Sequence, residues 1–204
     1  MKYLSVFTSD EDILKAFFEI HLRGGWYDLD CTYSKGIFWK NLKEPRIKSD
    51  LFPISEDIIK ADSQNLFFLN SGELKSIVFD PPFLFRPRKT INKDKICNRF
   101  SYFISFEDLI NMYRNSLKEF YRVLKKRGLV FFKCQDMTDG KFYCSHYEII
   151  KMAKEIGFEL KDIAIKYNKN KLQANAKQQN CVAKVHSYWL VFKKPYQNKK
   201  QEIN

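Results

Sequence analysis

The sequence predicts an α/β domain in which a mostly parallel sheet carries helices on both faces. Short apolar runs typical of buried strands recur along the chain, and amphipathic segments with helical spacing lie among them. The 204 residues are 45% hydrophobic and 16% aromatic, which is enough apolar surface for one compact domain. We therefore predict a single domain over residues 1–204.

Seven short apolar runs are the predicted strands. They lie at residues 26–31, 46–48, 58–61, 76–79, 129–134, 163–167 and 188–192. Runs of this length suit strands better than helices. Because helical segments separate several of them, connections between parallel strands are favoured.

Three segments are predicted helices. The first covers about residues 9–23, where Thr8 and Glu11 resemble a capping box. The second follows Ser105, and the third covers about residues 145–156. The apolar inner face of the second helix consists of Leu109, Met112, Tyr113, Leu117, Phe120 and Leu124. Its spacing is that of an amphipathic helix packed on a sheet.

The chain is strongly basic, with a formal net charge of +12 at pH 7. Such a surplus attracts polyanions, and nucleic acid is the predicted partner. An A/T-biased coding sequence also enriches Lys and Asn, so the location of the charge has to support this interpretation. Two long basic loops, at about residues 84–104 and 168–185, are the predicted substrate-facing segments.

Several side chains in these segments are candidates for contacts with phosphate groups. They are Arg86, Arg88, Lys89, Lys93, Lys95 and Arg99, together with Lys133 at the end of a predicted strand. The alternative is that charge only keeps these loops solvated. A steep loss of nucleic-acid affinity at high salt would favour the binding role.

The cysteines and histidines indicate neither a disulfide framework nor a metal site. Five cysteines form no CxxC pair, and no Cys/His cluster has zinc-finger spacing. No apolar run reaches the roughly 20 residues needed to span a bilayer, and no secretory leader is evident. The expected setting is the cytoplasm, with no membrane partner.

The most informative motif is Asp80-Pro81-Pro82-Phe83, which directly follows an apolar predicted strand. Ligands of open α/β sheets bind beyond the carboxyl ends of the strands, near the point where the strand order reverses. Asp80 is expected at that point. Taken alone, the tetrapeptide is also compatible with an ordinary turn.

Three further acids occupy the same position on three other predicted strands. Asp30, Asp50 and Asp62 end or follow the first three runs. Each one alone is explained by a turn, whereas four consecutive strands that end in an acid indicate a shared site. The loop after Asp30 contains Thr32, Tyr33, Ser34, Lys35 and Gly36.

These motifs resemble the class I S-adenosylmethionine-dependent amino-methyltransferases of DNA and RNA, over about residues 26–192. The family signature Asp/Asn-Pro-Pro-Tyr/Phe matches Asp80 to Phe83 without a gap. The resemblance implies a Rossmann-like, seven-stranded sheet with an antiparallel last strand and S-adenosylmethionine as the cofactor. It also implies that Asp30 and the loop to Gly36 surround the methionine part of the cofactor.

Under the same resemblance, Asp50 takes the role of the ribose-hydroxyl ligand and Asp62 contacts the adenine amino group. The sequence departs from the family at Ser34, where a glycine is usual, and this affects the expected path of the loop. The segment 124–133 resembles the family's helix, glycine turn and fifth strand.

An exocyclic amine of a nucleobase is a poor nucleophile because its lone pair is delocalised into the ring. Asp80 and the carbonyl of Pro81 can each accept one amino hydrogen, and the two prolines fix these acceptors in place. Phe83 can stack on the base. The predicted reaction is methylation of a base amino group.

The favoured substrate is adenine N6 in DNA, because the Asp form of the signature resembles adenine enzymes more than the Ser-led form of many cytosine-N4 enzymes. The alternatives are an RNA amino-methyltransferase and an inactive methyltransferase fold that only binds nucleic acid. Protein glutamine methylation is disfavoured, because that signature begins with Asn.

Overall fold

A computed structural model describes residues 3–85, 103–168 and 182–196. The predicted phosphate contacts between residues 86 and 99, and most of the second basic loop, lie outside these ranges. Within the described ranges, no helix combines the length and the apolar character needed to cross a membrane.

The described residues form one large sheet and one short hairpin. The sheet contains β1 (Val6–Phe7), β2 (Leu29–Asp30), β3 (Ile47–Asp50), β4 (Ile59–Lys60), β5 (Leu74–Phe79), β6 (Leu124–Cys134), β9 (Glu159–Tyr167) and β10 (His186–Lys193). The hairpin pairs β7 (Met137–Asp139) with β8 (Lys141–Tyr143). The strand order in the sheet is β1-β9-β10-β6-β5-β2-β3-β4.

The sheet is mostly parallel and has a topological switch point at its centre. Strand β2 pairs in parallel with β3 on one side and with β5 on the other. The chain therefore builds the sheet outward through β3 and β4, then returns to β5 and continues in the opposite direction. Among the described strands of this sheet, only β10 runs antiparallel to both of its neighbours, β6 and β9. This confirms the predicted antiparallel last strand.

All seven predicted strands are present, and an eighth is added at the edge. Strand β1 pairs in parallel with β9, and its two residues are too few to give a periodic pattern. The predicted strand at 26–31 shrinks to the two residues of β2. Strand β6 begins at Leu124, directly after a helix, and so extends five residues further toward the amino end than the predicted 129–134.

Three α-helices have the predicted positions. They are α1 (Asp10–Phe17), which continues as a π-helical turn over Phe18–Leu22, α2 (Phe106–Val123) and α3 (Ser145–Ile156). The cap of α1 is Ser9, whose hydroxyl accepts the N–H of Asp12, and not the predicted Thr8. Ser105 and Asp108 form a full capping box on α2.

Two apolar cores lie on opposite faces of the sheet. Ile77 and Phe79 of β5 pack with α2 and α3, whereas Val78 between them packs in the core that contains α1. Alternate residues of a strand point to opposite faces, so both faces are covered. The polar ends of β2, β3 and β5 therefore emerge from a rigid frame at the carboxyl edge of the sheet.

Candidate active site

A pocket opens at the carboxyl edge of the sheet, across the switch point between β2 and β5. Seven of the residues predicted from the sequence line it. They are Thr32, Ser34, Asp50, Asp62, Asp80, Pro81 and Pro82. Phe79, Phe103 and Met112 contribute apolar wall. Acids from β3, β4 and β5 thus reach one cavity, as the sequence pattern predicts.

Asp30 lies beneath this pocket and not in its wall. Its residue surface is only 2% exposed. One carboxylate oxygen accepts the N–H of Thr32 at 2.9 Å, and the other accepts the indole N–H of Trp39 at 2.8 Å. The Thr32 hydroxyl accepts in turn from the N–H of Asp80 at 2.8 Å. Asp30 therefore ties the end of β2 to the start of the Asp80 motif.

Burial raises the pKa of Asp30 to about 7, against the opposing hydrogen bonds from Thr32 and Trp39. Between its ordinary value of 3.8 and about 7, the folded protein binds more protons at this group than the unfolded chain does. The stability contributed by neutral Asp30 is therefore complete below the unfolded pKa and is lost as the pH rises through the folded one.

We expect this group to lower the free energy of unfolding as the pH rises from about 4 to 7, by at most about 1.4 kcal/mol per pH unit. Denaturant unfolding of the parent and of Asp30→Asn over this range measures the effect. The free energy of unfolding of the variant should rise relative to that of the parent as the pH rises. A stability difference that does not change with pH contradicts the assignment.

Asp50 holds the loop that follows β2. Its two carboxylate oxygens accept the N–H groups of Ser34 and Phe52, each at 2.8 Å. Ser34 has a φ of +50°, the left-handed conformation that a glycine adopts without strain. The departure from the family's glycine therefore leaves a glycine-like backbone at this point, supported by the bond to Asp50.

Three residues of the same loop are not part of the pocket wall. The Tyr33 hydroxyl donates to Glu44 at 2.6 Å, and burial raises the pKa of Tyr33 to about 12. Lys35 is exposed. Gly36 has a φ of +62°, and a Cβ there would lie 2.5 Å from the Tyr33 hydroxyl oxygen. These positions shape the loop, and a direct cofactor contact by them stays a prediction.

Asp62 lies just beyond β4 and lines the same pocket as Asp80. Its Oδ1 accepts the N–H of Gln64 at 2.9 Å, which closes a tight turn. Gln64 itself also lines the pocket. Each carboxylate oxygen can accept two hydrogen bonds, so Asp50 and Asp62 keep acceptor positions for a ligand.

Asp80 ends β5 beside a buried lysine. Lys133 Nζ lies 3.3 Å from Asp80 Oδ2 and 3.2 Å from Asp10 Oδ1, and its side chain is only 10% exposed. Lys166 pairs with the other oxygen of Asp10. Burial raises the pKa of Asp80, and the positive charge of Lys133 opposes this shift. Lys133 is therefore enclosed between two acids, a position that does not suit the predicted contact with phosphate.

The residues of the Asp80 motif lie in two different environments. Pro81 and Pro82 line the pocket, and the Pro82 carbonyl accepts the Tyr113 hydroxyl of α2 at 2.5 Å. Phe83 is not part of the pocket wall, and its ring centroid lies 5.9 Å from Lys133 Nζ. The motif thus presents acceptors to the pocket and an aromatic ring beside it.

Both basic loops begin and end near this edge of the sheet. Phe85 and Phe103 form a parallel bridge, and Phe103 lines the pocket. The N–H of Asn168 donates to the carbonyl of Val185 at 2.8 Å, which joins the ends of the second loop. The roles of the intervening basic residues stay predictions.

Sequence reasoning missed three residues that organise the site. Asp10 is the first residue of α1, where an acid is commonly explained by the helix dipole. Trp39 and Tyr113 have the apolar character of core residues, and nothing local in the sequence indicates their polar partners. Their bonds to Asp30 and Pro82 depend on contacts between distant parts of the chain.

Solved structures of methyltransferases are among those that are similar to this chain. A SAM-dependent methyltransferase from Archaeoglobus fulgidus is 15% identical, with a TM-score of 0.50 over 90% of this chain and 94% of that one. The cytosine-N4-specific PvuII DNA methyltransferase is 17% identical, with a TM-score of 0.50 over 66% of this chain and 47% of that one.

A protein from Thermus thermophilus, provisionally described as a DNA modification methylase and solved with S-adenosylmethionine, is 17% identical, with a TM-score of 0.48 over 70% of this chain and 57% of that one. The chain therefore spans about half the length of the PvuII and Thermus proteins. No curated protein matches this sequence.

At these identities the neighbours bear on the fold alone, and the α/β methyltransferase fold predicted from the sequence is confirmed. The sequence itself matches a family model. The model, described as DNA methylase and named for N6 and N4 methyltransferases, matches residues 74–204, which include the whole Asp80 motif. This chain belongs to the N6/N4 DNA methylase family.

Proposed function

We propose that this protein transfers a methyl group from S-adenosylmethionine to the N6 amino group of adenine in DNA. The observation that carries the proposal is the convergence of Asp50, Asp62 and the Asp80 motif on one pocket at the switch point of the sheet. Family membership supports both the reaction and a DNA substrate.

The chemistry of the pocket fits this cofactor. Its acids can accept hydrogen bonds from ribose hydroxyls, at Asp50, and from the adenine amino group, at Asp62. Phe79, Phe103 and Met112 offer apolar surface to the adenine ring. When bound, S-adenosylmethionine supplies an electron-poor methyl group on a positively charged sulfur.

Asp80 and Pro81 prepare the nucleophile. In the described ranges, only Oδ2 of Asp80 has a hydrogen-bond partner, Lys133, so Oδ1 is available to accept one amino hydrogen. The Pro81 carbonyl accepts the second. Two acceptors draw the nitrogen lone pair out of the ring and aim it into the pocket, and the hydrogen bond from Tyr113 to Pro82 keeps the backbone fixed.

Lys133 is a positioning residue for Asp80. A cation at 3.3 Å favours the ionised carboxylate against the effect of burial, and Asp10 holds that cation in place. Three aromatic rings surround the ammonium group, with centroids at 4.7 Å for Phe38, 5.7 Å for Trp189 and 5.9 Å for Phe83.

Lys133→Met should move the acidic limb of the kcat/KM profile for DNA to higher pH by about one unit or more, because the carboxylate loses its counter-charge. Cofactor affinity should stay within about twofold of the parent, since Lys133 is not part of the pocket wall. Lys166→Met is the matched comparison, because Lys166 pairs with Asp10 and lowers the pKa of Asp80 only from a distance, so its shift should be smaller than that of Lys133→Met.

Lys133→Arg keeps the positive charge and should restore much of the profile. If Lys133→Met shows the parental pH profile while activity is unchanged, the positioning role is wrong. A loss of cofactor affinity equal to the loss of activity would instead indicate a structural role for this lysine.

The proposal names a polymer, DNA, and a base, adenine. The net charge of +12 and the basic residues between Phe85 and Phe103, two residues that bridge to each other, suit a polyanionic substrate. The Asp-led signature favours adenine, while the family name includes N4 methyltransferases. RNA and cytosine are therefore the alternatives that the experiment has to separate.

The test is transfer of labelled methyl from S-adenosylmethionine to mixed-sequence DNA, RNA and protein in parallel, followed by nucleoside analysis. We expect label in DNA, as N6-methyladenine, and none with Asp80→Ala. Label as N4-methylcytosine would overturn the adenine assignment, and label in RNA alone would overturn the DNA assignment. Cofactor binding without transfer to any substrate would favour an inactive binding module.

A further inference from the structure

A second group of reactive side chains lies at the base of the β7–β8 hairpin, outside the pocket. Asp136, Cys144 and His146 each offer one ligand atom, and these atoms all lie within 4.8 Å of one another. His146 Nδ1 is 2.8 Å from the Asp136 carboxylate and 3.7 Å from Cys144 Sγ. From these contacts we infer that Asp136, Cys144 and His146 form a Zn²⁺ site that clips the base of this hairpin.

The ligand set suits zinc. Thiolate, imidazole and carboxylate are the three side-chain ligands that Zn²⁺ takes, and with three protein ligands a water molecule takes the fourth tetrahedral position. Tetrahedral bonds of about 2.0–2.3 Å place neighbouring ligand atoms about 3.3–3.7 Å apart. The distance between Cys144 and His146 already fits, and the Asp136–His146 pair needs to open by about half an ångström to admit the ion.

The surroundings hold the three ligands in place. Asp136 is buried and also accepts the backbone N–H of His146 at 3.2 Å, so its carboxylate is fixed at the start of α3. Tyr188 of β10 stacks on the His146 ring, with centroids 4.3 Å apart and an interplanar angle of 27°. Fixed first ligands favour binding, because little order has to be gained when the ion enters.

The position of the site in the chain indicates what the ion would do. Asp136 directly precedes β7 and Cys144 directly follows β8, so the ion would close the hairpin at its base. Tyr143, the last residue of β8, packs on Phe85 and Phe106 at centroid distances of 5.1 and 4.7 Å. The clip would therefore fix a hairpin that abuts the segment following the Asp80 motif.

The sequence did not indicate this site, because the ligands have the spacing Asp-x7-Cys-x-His and include a single cysteine. A second His–carboxylate pair provides the comparison. His21 Nε2 lies 2.8 Å from Asp162 Oδ2 and, among the described residues, has no thiol in such a cluster. If such a pair alone were sufficient, both positions would bind the ion.

The experiment uses the full chain, stripped with a chelator and kept reduced, and titrates it with Zn²⁺ against a chromophoric chelator and with Co²⁺ by absorbance. We expect one Zn²⁺ per chain, a sulfur-to-cobalt charge-transfer band, and a higher thermal unfolding temperature with Zn²⁺. Mg²⁺ should not compete, because a thiolate is a poor ligand for it.

Cys144→Ser and His146→Gln should each weaken Zn²⁺ binding by at least about tenfold, the loss seen even for partners outside the first ligands. His21→Gln and the double variant Cys97→Ser/Cys181→Ser should bind like the parent. No stoichiometric binding overturns the proposal, and so does binding that survives in Cys144→Ser or disappears in the double variant. If a ligand variant does not fold, the cobalt band of the double cysteine variant decides, because only Cys144, Cys134 or Cys31 remains to give it, and the last two are buried.

Discussion

Asp80→Ala is expected to reduce methyl transfer by at least about 10²–10³-fold, because it removes one of the two acceptors aimed at the reacting nitrogen. Binding of S-adenosylmethionine should change little, since Asp50 and Asp62 keep their positions in the pocket. Single-turnover transfer to DNA and calorimetric titration with the cofactor measure the two quantities separately.

The fold should tolerate this change. Lys133 keeps Asp10 as a partner, and Asp80 is a partly buried carboxylate whose pKa is raised by desolvation, so its removal takes away an unfavourable contribution. Asp80→Asn is the matched control: it keeps one acceptor oxygen but loses the charge next to Lys133, so its activity should lie between the parent and Asp80→Ala. Equal turnover by Asp80→Ala and the parent would refute the catalytic assignment.

Asp50→Ala is expected to have the opposite pattern, with a loss of cofactor affinity of about 10–100-fold, as for hydrogen bonds to a charged group. The variant loses the acceptor proposed for the ribose hydroxyls and also releases Ser34, whose N–H donates to Asp50. Turnover at saturating cofactor should recover much of its parental value, because Asp80 is not disturbed.

The matched control for Asp50→Ala is Asp57→Ala, which removes the same charge from an exposed residue that pairs with Lys48 outside the pocket. Its cofactor affinity should equal that of the parent. An Asp50→Ala variant that binds the cofactor normally, or one that fails only in turnover, would exclude the predicted ribose role.

The pocket could be predicted because parallel strands bring the residues that follow them close together in space. Asp50, Asp62 and Asp80 each end or follow a parallel strand, and the carboxyl ends of such strands share one edge of the sheet. No knowledge of side-chain contacts was needed. The same rule placed Asp30 correctly at the end of β2 but could not show that Trp39 and Thr32 would bury it beneath the pocket.

Contacts between distant positions set the limit of sequence reasoning. Lys133 was predicted to contact nucleic acid because it is a cation at a strand end. Its neighbours in space, Asp10 from the first helix and Asp80 from another strand, enclose it instead. A charge pattern along the chain cannot distinguish a solvated lysine from one that is paired in the interior.

Short elements and irregular backbone were missed for a related reason. The two residues of β1 form a strand only because β9 provides their hydrogen bonds, and no periodic signal exists in so short a segment. Ser34 adopts a left-handed backbone with the support of Asp50, although a serine in isolation disfavours it.

We propose that an acceptor pair at the end of β5 holds a base amino group against the methyl donor. A crystal structure of the protein with S-adenosylmethionine tests this most directly. We predict that the sulfonium methyl carbon faces Asp80 and Pro81, and that the ribose hydroxyls contact Asp50. A cofactor bound away from this edge, or an Asp80 carboxylate turned wholly into its pair with Lys133, would contradict the account.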